Sequence, residues 1–231
     1  GTLWNSYSFF VLYASVDKWQ PKKMKPIELL KKGNILDKWL LAELSRLTRE
    51  INAGFEKYLI VKAAKKLEKF VDNLSNWYIR RSRRRFWKSE SDDDKNSAYQ
   101  TLWLVLTELS KLMAPYCPFI ADEIFKNLTG KESVHLEKFP EMNEKLLDEK
   151  VISEMERVRK IIETGLSLRA ENGIKVRQPL SRLIVESEKV NQELENLLKE
   201  EVNVKEVCWK KQSGGELAWK KLEGFQVGLD I

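Results

Sequence analysis

The chain has 231 residues, 42% of them hydrophobic, which is enough apolar material for one large domain or for one domain and a smaller one. Lysine and arginine number 41 and aspartate and glutamate 35, so the net charge is +6, and this excess favours a nucleic-acid partner only if it is clustered. Two cysteines, Cys117 and Cys208, are too few for a disulfide framework, and with one histidine they exclude a zinc site made of Cys and His alone.

The sequence predicts a cytoplasmic piece of a longer chain. The apolar runs are shorter than a bilayer requires, and the opening residues GTLWNSYSFF lack the basic region and cleavage site of a signal peptide. The few cysteines fit a reducing environment, so we expect the protein in the cytoplasm. Both ends are expected to continue, because the sequence opens within an aromatic-rich segment and stops at VGLDI without a polar tail.

Apolar spacings of three and four residues predict up to five helices before Pro140. The second of them shows the pattern most clearly, with Asp37 near its start, where the helix dipole favours an acid. We expect these helices to pack as a bundle. The predicted helices cover Leu3–Tyr13, Ile35–Phe55, Tyr58–Trp87, Ser97–Met113 and Ile120–Gly130, with WQPKKMKP as a loop after the first and Gly130 as the last C-cap.

The pattern changes after Pro140. One more helix is predicted up to Asn172-Gly173, and after it short β-branched runs alternate with a further helical segment. Gly214-Gly215 is predicted to form a hairpin turn before two last strands. The fold class is therefore mainly α, a helical bundle followed by a small α+β subdomain. We place the bundle in residues 1–142 and the subdomain, truncated at its C-terminal end, in residues 143–231.

The segment NLSNWYIRRSRRRFWKSESDDDK concentrates the positive charge. It holds five arginines in six positions: Arg80, Arg81, Arg83, Arg84 and Arg85. At 100° per residue, the apolar stripe through Leu74 and Tyr78 continues to Arg81 and Arg85. Burying these two guanidinium groups without partners would cost several kcal/mol. Either the helix extends beyond the bundle, or the two arginines have committed acceptors.

Two interpretations of this arginine cluster remain open. In the first, it is a solvated helix end that complements the helix dipole, with SDDD folding back as its acidic partner. In the second, it binds RNA, because arginine contacts phosphates bidentately and stacks on bases as lysine cannot. The rings available for stacking are those of Trp77, Tyr78, Phe86 and Trp87. The use of arginine in a lysine-rich chain favours RNA.

Long ordered motifs then identify a family. DNLSNWYIRRSRRRFW, DKNSAYQTLWLVLTELSKLMAPYCPFIADEIFKNL, ESVHLEKFP and RVRKIIETGLSLRAENGIKVRQPL resemble the anticodon-binding region of the isoleucyl-tRNA synthetases, which are class I enzymes. The archaeal and eukaryotic type is the most similar. LWNSYSFFVLYA resembles the first bundle helix and EEVNVKEVCW a strand after the bundle, so the resemblance covers nearly the whole chain and is loosest from Lys210 to Ile231.

The resemblance implies a tRNA-binding fragment of an isoleucine–tRNA ligase, which positions isoleucine tRNA for a catalytic domain of the same polypeptide. That parent enzyme uses ATP and Mg²⁺, whereas the fragment is expected to hold no cofactor. The family's His-x-Gly-His signature is absent, since His135 is the only histidine, and KKMKP lacks the serines of the Lys-Met-Ser-Lys-Ser loop. The alternatives are the same region of a valyl, leucyl or methionyl enzyme, or a helical scaffold that mainly docks to the catalytic domain.

The candidate site residues comprise the arginine cluster and five other positions. In the methionyl relative, an Asn of the first bundle helix and a Trp after the arginine helix contact anticodon bases, and the comparable positions are Asn5 and Trp87. Lys88 adds a charge beside Trp87. In GIKVRQP, alternation places Lys175 and Arg177 on one side of an extended segment, which is either a tRNA-backbone contact or an edge strand kept soluble by charge.

No catalytic residue and no metal site is predicted. His135 has no nucleophile near it in the sequence and is expected to be structural. Glu90 and Asp92 to Asp94 lie in a polar loop and are expected to be solvated rather than bound to a metal.

Overall fold

The structure is a computed structural model, and it describes residues 1–22, 26–88, 91–209, 217–222 and 225–230. The chain divides into two compact units, Gly1–Glu149 and Lys150–Ile231. The boundary predicted from the sequence, between residues 142 and 143, lies a few residues earlier. Among the described helices, none combines the length and the apolar character needed to cross a bilayer.

The first unit is a helical bundle. The helices that the sequence predicts are present, and a short one, α2, was not predicted because it directly follows the proline-containing WQPKKMKP segment, of which residues 23–25 lie outside the described residues. Short 3₁₀ turns at Val134–Leu136 and Glu144–Leu146 follow the last bundle helix. The helices are α1 (Thr2–Val16), α2 (Pro26–Lys32), α3 (Ile35–Glu56), α4 (Ile60–Asp72), α5 (Arg80–Trp87), α6 (Asp92–Met113) and α7 (Pro118–Thr129).

Helix α3 forms the centre of the bundle. It begins with a capping box, in which the Asn34 side chain accepts from the backbone N–H of Asp37 at 3.2 Å, and the Asp37 carboxylate accepts from the backbone N–H of Asn34 at 3.2 Å. Trp39, Leu40 and Leu41 have no exposed surface, so α3 is buried on more than one face. The predicted stripe is also buried: Leu36, Leu40, Leu44, Leu47 and Ile51.

The third predicted helix runs without a break but changes its pitch. A π-helical segment, Asn73–Ile79, joins α4 to α5. Its wider turns keep residues four apart on the same face, so Leu74, Tyr78 and Ser82 are all fully buried. The 100° projection placed Arg81 on that face. Ser82 takes the fully buried position, and Arg81 is half-buried.

The second unit is a four-stranded sheet with two helices. The helices are α8 (Glu149–Glu171) and α9 (Gln192–Val202), and the strands are β1 (Leu180–Val185), β2 (Val204–Cys208), β3 (Leu217–Leu222) and β4 (Phe225–Asp230). The order is β2-β1-β4-β3. Strands β1 and β2 are parallel and connected through α9, whereas β4 is antiparallel to β1 and to β3.

The sheet order corrects the predicted hairpin at Gly214-Gly215. These glycines lie outside the described residues, but the strands on either side of them, β2 and β3, occupy opposite edges of the sheet and do not pair. The antiparallel hairpin is instead β3–β4, with Leu222 opposite Phe225. Alternation predicts that a segment is a strand, but it carries no information about which neighbour the strand pairs with.

Helices α8 and α9 approach each other at Gly165. A Cβ atom at this position would lie 3.0 Å from Cγ1 and 3.2 Å from Cγ2 of Val202, closer than side chains normally pack. The glycine therefore lets the end of α9 lie directly against α8, within one turn of Arg169.

Candidate nucleic-acid interface

The five arginines of the cluster occupy different environments. Arg80, Arg83 and Arg84 are exposed on α5, Arg81 is half-buried, and Arg85 is buried with its side chain 10% exposed. The cluster therefore has an outward part, which a polyanion can reach, and an inward part, which belongs to the bundle core.

Arg85 has hydrogen-bond acceptors within the bundle, which is one of the two alternatives that its position on the apolar stripe left open. Its Nη1 donates to Asp37 Oδ1 at 2.8 Å and its Nη2 to Asp37 Oδ2 at 2.6 Å, a bidentate pair. The Nε atom donates to Asp94 Oδ2 at 2.9 Å. The expectation that Arg85 contacts tRNA is wrong for this structure, because two carboxylates of the same chain enclose its guanidinium group.

Asp37 is fully buried and needs this arginine. Tyr78 Oη also donates to Asp37 Oδ1, at 2.7 Å, so the carboxylate is hydrogen-bonded from two sides. Burial disfavours the charge on Arg85, but the hydrogen bonds and the charge of Asp37 outweigh it and raise the pKa of Arg85 above its ordinary value. Burial is also the main cause of the raised pKa of Tyr78. Arg85, Asp37 and Asp94 form a network of two ion pairs that joins α3, α5 and α6.

The outward arginines lie against aromatic rings. The guanidinium carbon of Arg83 is 5.9 Å from the centre of the Phe9 ring, and that of Arg80 is 5.6 Å from the Trp77 ring. Within the described part of the chain, Arg83 and Arg84 have no carboxylate at ion-pair distance. Their charges are therefore available to an external anion.

Only one of the four predicted stacking rings is exposed. The Trp87 side chain is 67% exposed at the end of α5, whereas Trp77, Tyr78 and Phe86 are buried, which corrects the prediction for these three. Phe86 packs edge-on against Phe9, with ring centres 5.1 Å apart. The aromatic residues on the inward face thus build the core, and Trp87 is the ring that an unpaired base could reach.

Asn5 and Lys88 are exposed as the sequence predicts for site residues. Asn5 lies on α1 one turn before Phe9, the residue that packs on α5 and under Arg83. Helix α1 therefore carries an exposed amide one turn away from its contact with α5.

The acidic run serves to start a helix. The Ser91 side chain caps α6 by accepting from the backbone N–H of Asp94, and Asp92 to Asp94 form the first turn, where the helix dipole favours carboxylates. Asp94 also binds Arg85, so the interpretation of SDDD as an acidic partner holds for this one pair. No three His, Cys, Asp or Glu side chains among the described residues are grouped so that they could hold a metal ion.

Lys175 and Arg177 lie in a turn of the second unit rather than in a strand. Both are exposed, and the Gln178 backbone N–H donates to the Lys175 carbonyl oxygen at 2.9 Å. The predicted extended segment is therefore wrong, and the edge-strand alternative with it, since strand β1 begins only at Leu180.

Sequence reasoning missed Arg169, which is fully buried on α8. The signal that indicated Arg85 could have found it, because the buried positions Met155, Val158, Ile162 and Gly165 have spacings of three and four that continue to Arg169. An arginine on an apolar stripe is expected to be buried, and its guanidinium group then needs hydrogen-bond acceptors within the protein.

A helical bundle with exposed arginines and an exposed tryptophan at one helix end defines a module suited to bind a polyanion. The model of the family "Anticodon-binding domain of tRNA ligase" matches residues 37–185, more than half of the sequence. The chain belongs to this family.

Curated relatives are isoleucine–tRNA ligases. The enzyme of Clostridium novyi (strain NT) is 42% identical over 212 residues, which are 89% of this chain and 20% of the relative. That of Clostridium tetani (strain Massachusetts / E88) is 41% identical over 214 residues, 90% and 20%. That of Dehalococcoides mccartyi (strain CBDB1) is 46% identical over 191 residues, 79% and 18%. These similarities confirm the predicted resemblance, and the chain spans about a fifth of the relatives' length. The archaeal and eukaryotic type stays a prediction.

Proposed function

We propose that this chain binds the anticodon stem-loop of isoleucine tRNA in the cytoplasm and holds it for a catalytic domain of the same, longer polypeptide. The observation that carries the proposal is the outward face of α5, where Arg83, Arg84 and Lys88 are exposed beside the exposed ring of Trp87. Membership of the anticodon-binding family and similarity to isoleucine–tRNA ligases support it.

The proposed contacts divide into two kinds. The guanidinium groups of Arg80, Arg83 and Arg84 bind phosphates of the stem-loop, which positions the tRNA without reading its sequence. Trp87 stacks on an unpaired base, and the Asn5 amide, which can both donate and accept, contacts a base edge. Arg81, half-buried, adds charge at the edge of this surface, and Arg85 acts through the bundle core. Lys175 and Arg177 supply phosphate contacts from the second unit.

Isoleucine tRNA is proposed over valine, leucine or methionine tRNA because the similar relatives are isoleucine–tRNA ligases. Filter binding of the 231-residue chain to isoleucine, valine and methionine tRNA transcripts tests this choice. We expect the isoleucine tRNA to bind at least about tenfold more tightly, since one mismatched base contact costs about 1–3 kcal/mol. A chain that binds all three equally does not discriminate, and the proposal of specificity then fails.

ATP and Mg²⁺ belong to the proposed catalytic domain. The absence of both from this chain stays a proposal, supported by the single histidine of the sequence, which leaves no His-x-Gly-His signature. We therefore expect the purified chain to show no isoleucine-dependent ATP–pyrophosphate exchange above a no-protein blank. An intact isoleucine–tRNA ligase is the positive control, and exchange by the chain that scales with its concentration would contradict this part of the proposal.

A scaffold role is the second candidate, and one observation favours it for part of the cluster. Arg85 binds carboxylates of its own chain, so this arginine stabilises the bundle. Extended to the outward arginines, the same role would dock them to the catalytic domain rather than to RNA.

A further inference from the structure

The buried Arg169 connects three backbone segments of the second unit. Its Nε donates to the Val202 carbonyl oxygen at 2.8 Å and its Nη2 to the Asn203 carbonyl oxygen at 2.8 Å, both at the C-terminal end of α9. Its Nη1 donates to the Lys175 carbonyl oxygen at 3.1 Å. All the acceptors that the structure gives this guanidinium group are backbone carbonyls, so its charge is solvated by peptide groups.

Asn203 provides a second hydrogen bond to the turn that contains Lys175. Its Nδ2 donates to the Val176 carbonyl oxygen at 2.8 Å. The residue ends α9 with φ +53°, in the left-handed region that asparagine tolerates better than most side chains. The carbonyl groups of two successive turn residues, Lys175 and Val176, are thus bound by buried or capping side chains.

The start of the turn is fixed by the end of α8. The Ile174 backbone N–H donates to the Arg169 carbonyl oxygen at 2.9 Å and the Gly173 N–H to the Ala170 carbonyl oxygen at 3.1 Å, while Gly173 has φ +66°. This is a Schellman arrangement, which requires a residue such as glycine at this position. The turn is therefore held at its start and along its length.

The side chains of the turn face solvent although its backbone is held. Lys175 and Arg177 are exposed, as is Val176 between them. The nearest preceding carboxylate in the sequence, that of Glu171, accepts from Lys220 Nζ at 2.6 Å. Two exposed cations on a fixed backbone, with the adjacent carboxylate paired elsewhere, would lose little backbone conformational entropy on binding a phosphate.

We infer that Arg169 and Asn203 are positioning residues, which hold the Lys175–Arg177 turn in the conformation that contacts tRNA phosphates. The inference rests on the proposed function, since it assigns part of the tRNA contact to the second unit. Arginine is required at position 169 because lysine, with one nitrogen, cannot reach three carbonyl groups in a fork geometry.

The test uses the 231-residue chain and a transcript of isoleucine tRNA, with affinity measured across a range of salt concentrations. The variant Lys175→Ala/Arg177→Ala is expected to lose about an order of magnitude in affinity and to flatten the slope of log K against log salt by about 1.5, which corresponds to two phosphate contacts. The matched control Lys160→Ala/Lys205→Ala removes two exposed cations elsewhere in the unit and is expected to bind like the unchanged chain.

The positioning residues are tested by R169K and N203G. Glycine accepts the left-handed conformation at position 203, so N203G removes the hydrogen bond to Val176 while the end of α9 persists, and it carries the test if R169K does not fold. Both variants are expected to bind the transcript several-fold more weakly and to show faster hydrogen exchange at the Gln178 amide. Added to Lys175→Ala/Arg177→Ala, neither is expected to weaken binding further.

Each failure has a separate meaning. If the unchanged chain does not bind the transcript, the proposed function fails. If it binds and Lys175→Ala/Arg177→Ala binds equally well, the turn is not a contact and the inference is overturned. If the turn is a contact but N203G keeps full affinity, or its loss adds to that of the double variant, Asn203 does not act through the turn.

Discussion

An alanine in place of Arg85 is expected to lower the free energy of unfolding of the helical bundle by about 3–5 kcal/mol. The substitution leaves the Asp37 carboxylate, which has no exposed surface, without the bidentate partner at 2.6 and 2.8 Å. The hydrogen bonds from Tyr78 and from the Asn34 backbone N–H remain, but these neutral donors do not offset a buried charge. Asp37→Ala is expected to cost a similar amount, because it removes the main partner of a buried guanidinium group.

Thermal and urea denaturation of the 231-residue chain measure this loss. A decrease of about 10 °C in Tm corresponds to it for a chain of this size. Arg84→Ala is the matched control, since Arg84 is exposed one residue away, and it is expected to change stability by less than about 0.5 kcal/mol. The double variant Asp37→Ala/Arg85→Ala is expected to lose less than the sum of the two single variants. Equal stability of Arg85→Ala and Arg84→Ala would contradict the burial of this pair.

Reversing the charge of Arg83 and Arg84, two of the three outward arginines, is expected to give the largest loss of RNA binding. The variant Arg83→Glu/Arg84→Glu places carboxylates where phosphates would lie, so we expect tRNA affinity to fall at least about 100-fold at low salt. Both side chains are exposed, and neither has an ion pair within the described residues that the change would break. The fold is therefore expected to persist, which the same melting experiment checks.

The matched control for this variant lies on the same continuous helix. Lys65→Glu/Lys69→Glu makes the same change in net charge at two exposed positions of α4, about 20 Å along the axis from Arg83. It is expected to weaken tRNA binding only slightly, through the general charge of the protein. Equal losses in the two variants would show that net charge, rather than the outward face of α5, accounts for binding.

The scaffold role predicts a different pattern for the same variants. If the outward arginines dock to the catalytic domain, Arg83→Glu/Arg84→Glu leaves tRNA binding by the 231-residue chain unchanged. The loss is then seen only in the full-length enzyme, as reduced aminoacylation. If they bind RNA, the loss is present in the isolated chain as well.

The helices could be predicted because each depends on local spacing. Leu36, Leu40 and Leu44 repeat every four residues and are buried in α3, and Gly130 ends α7 with φ +68° as its position predicts. The pattern also showed that Arg85 falls on the buried face. A periodic pattern therefore predicts the helices and their buried positions. It also shows where a charged side chain falls on a buried face and must have a partner.

The partner of Arg85 could not be predicted in the same way. Asp37 lies 48 positions earlier, and the pair exists only because the bundle brings the first turn of α3 within reach of the Arg85 side chain. The π-helical segment shifted the buried face so that Ser82 rather than Arg81 became fully buried. Likewise, the carbonyl groups of the Lys175–Arg177 turn are bound by residues from α8 and the end of α9. Such tertiary contacts make this segment a turn, although the alternation of its residues predicts an extended conformation.

The salt dependence of tRNA binding decides whether the outward arginines contact phosphates. Affinity of the 231-residue chain for an isoleucine tRNA transcript is measured from about 50 to 200 mM salt, the range over which counterion release dominates. We expect a steep negative slope of log K against log salt, flatter by about 0.7–0.9 in Arg84→Ala and by about twice that in Arg83→Glu/Arg84→Glu. Parallel slopes for all three proteins would contradict it, because the outward arginines would then contact no phosphate.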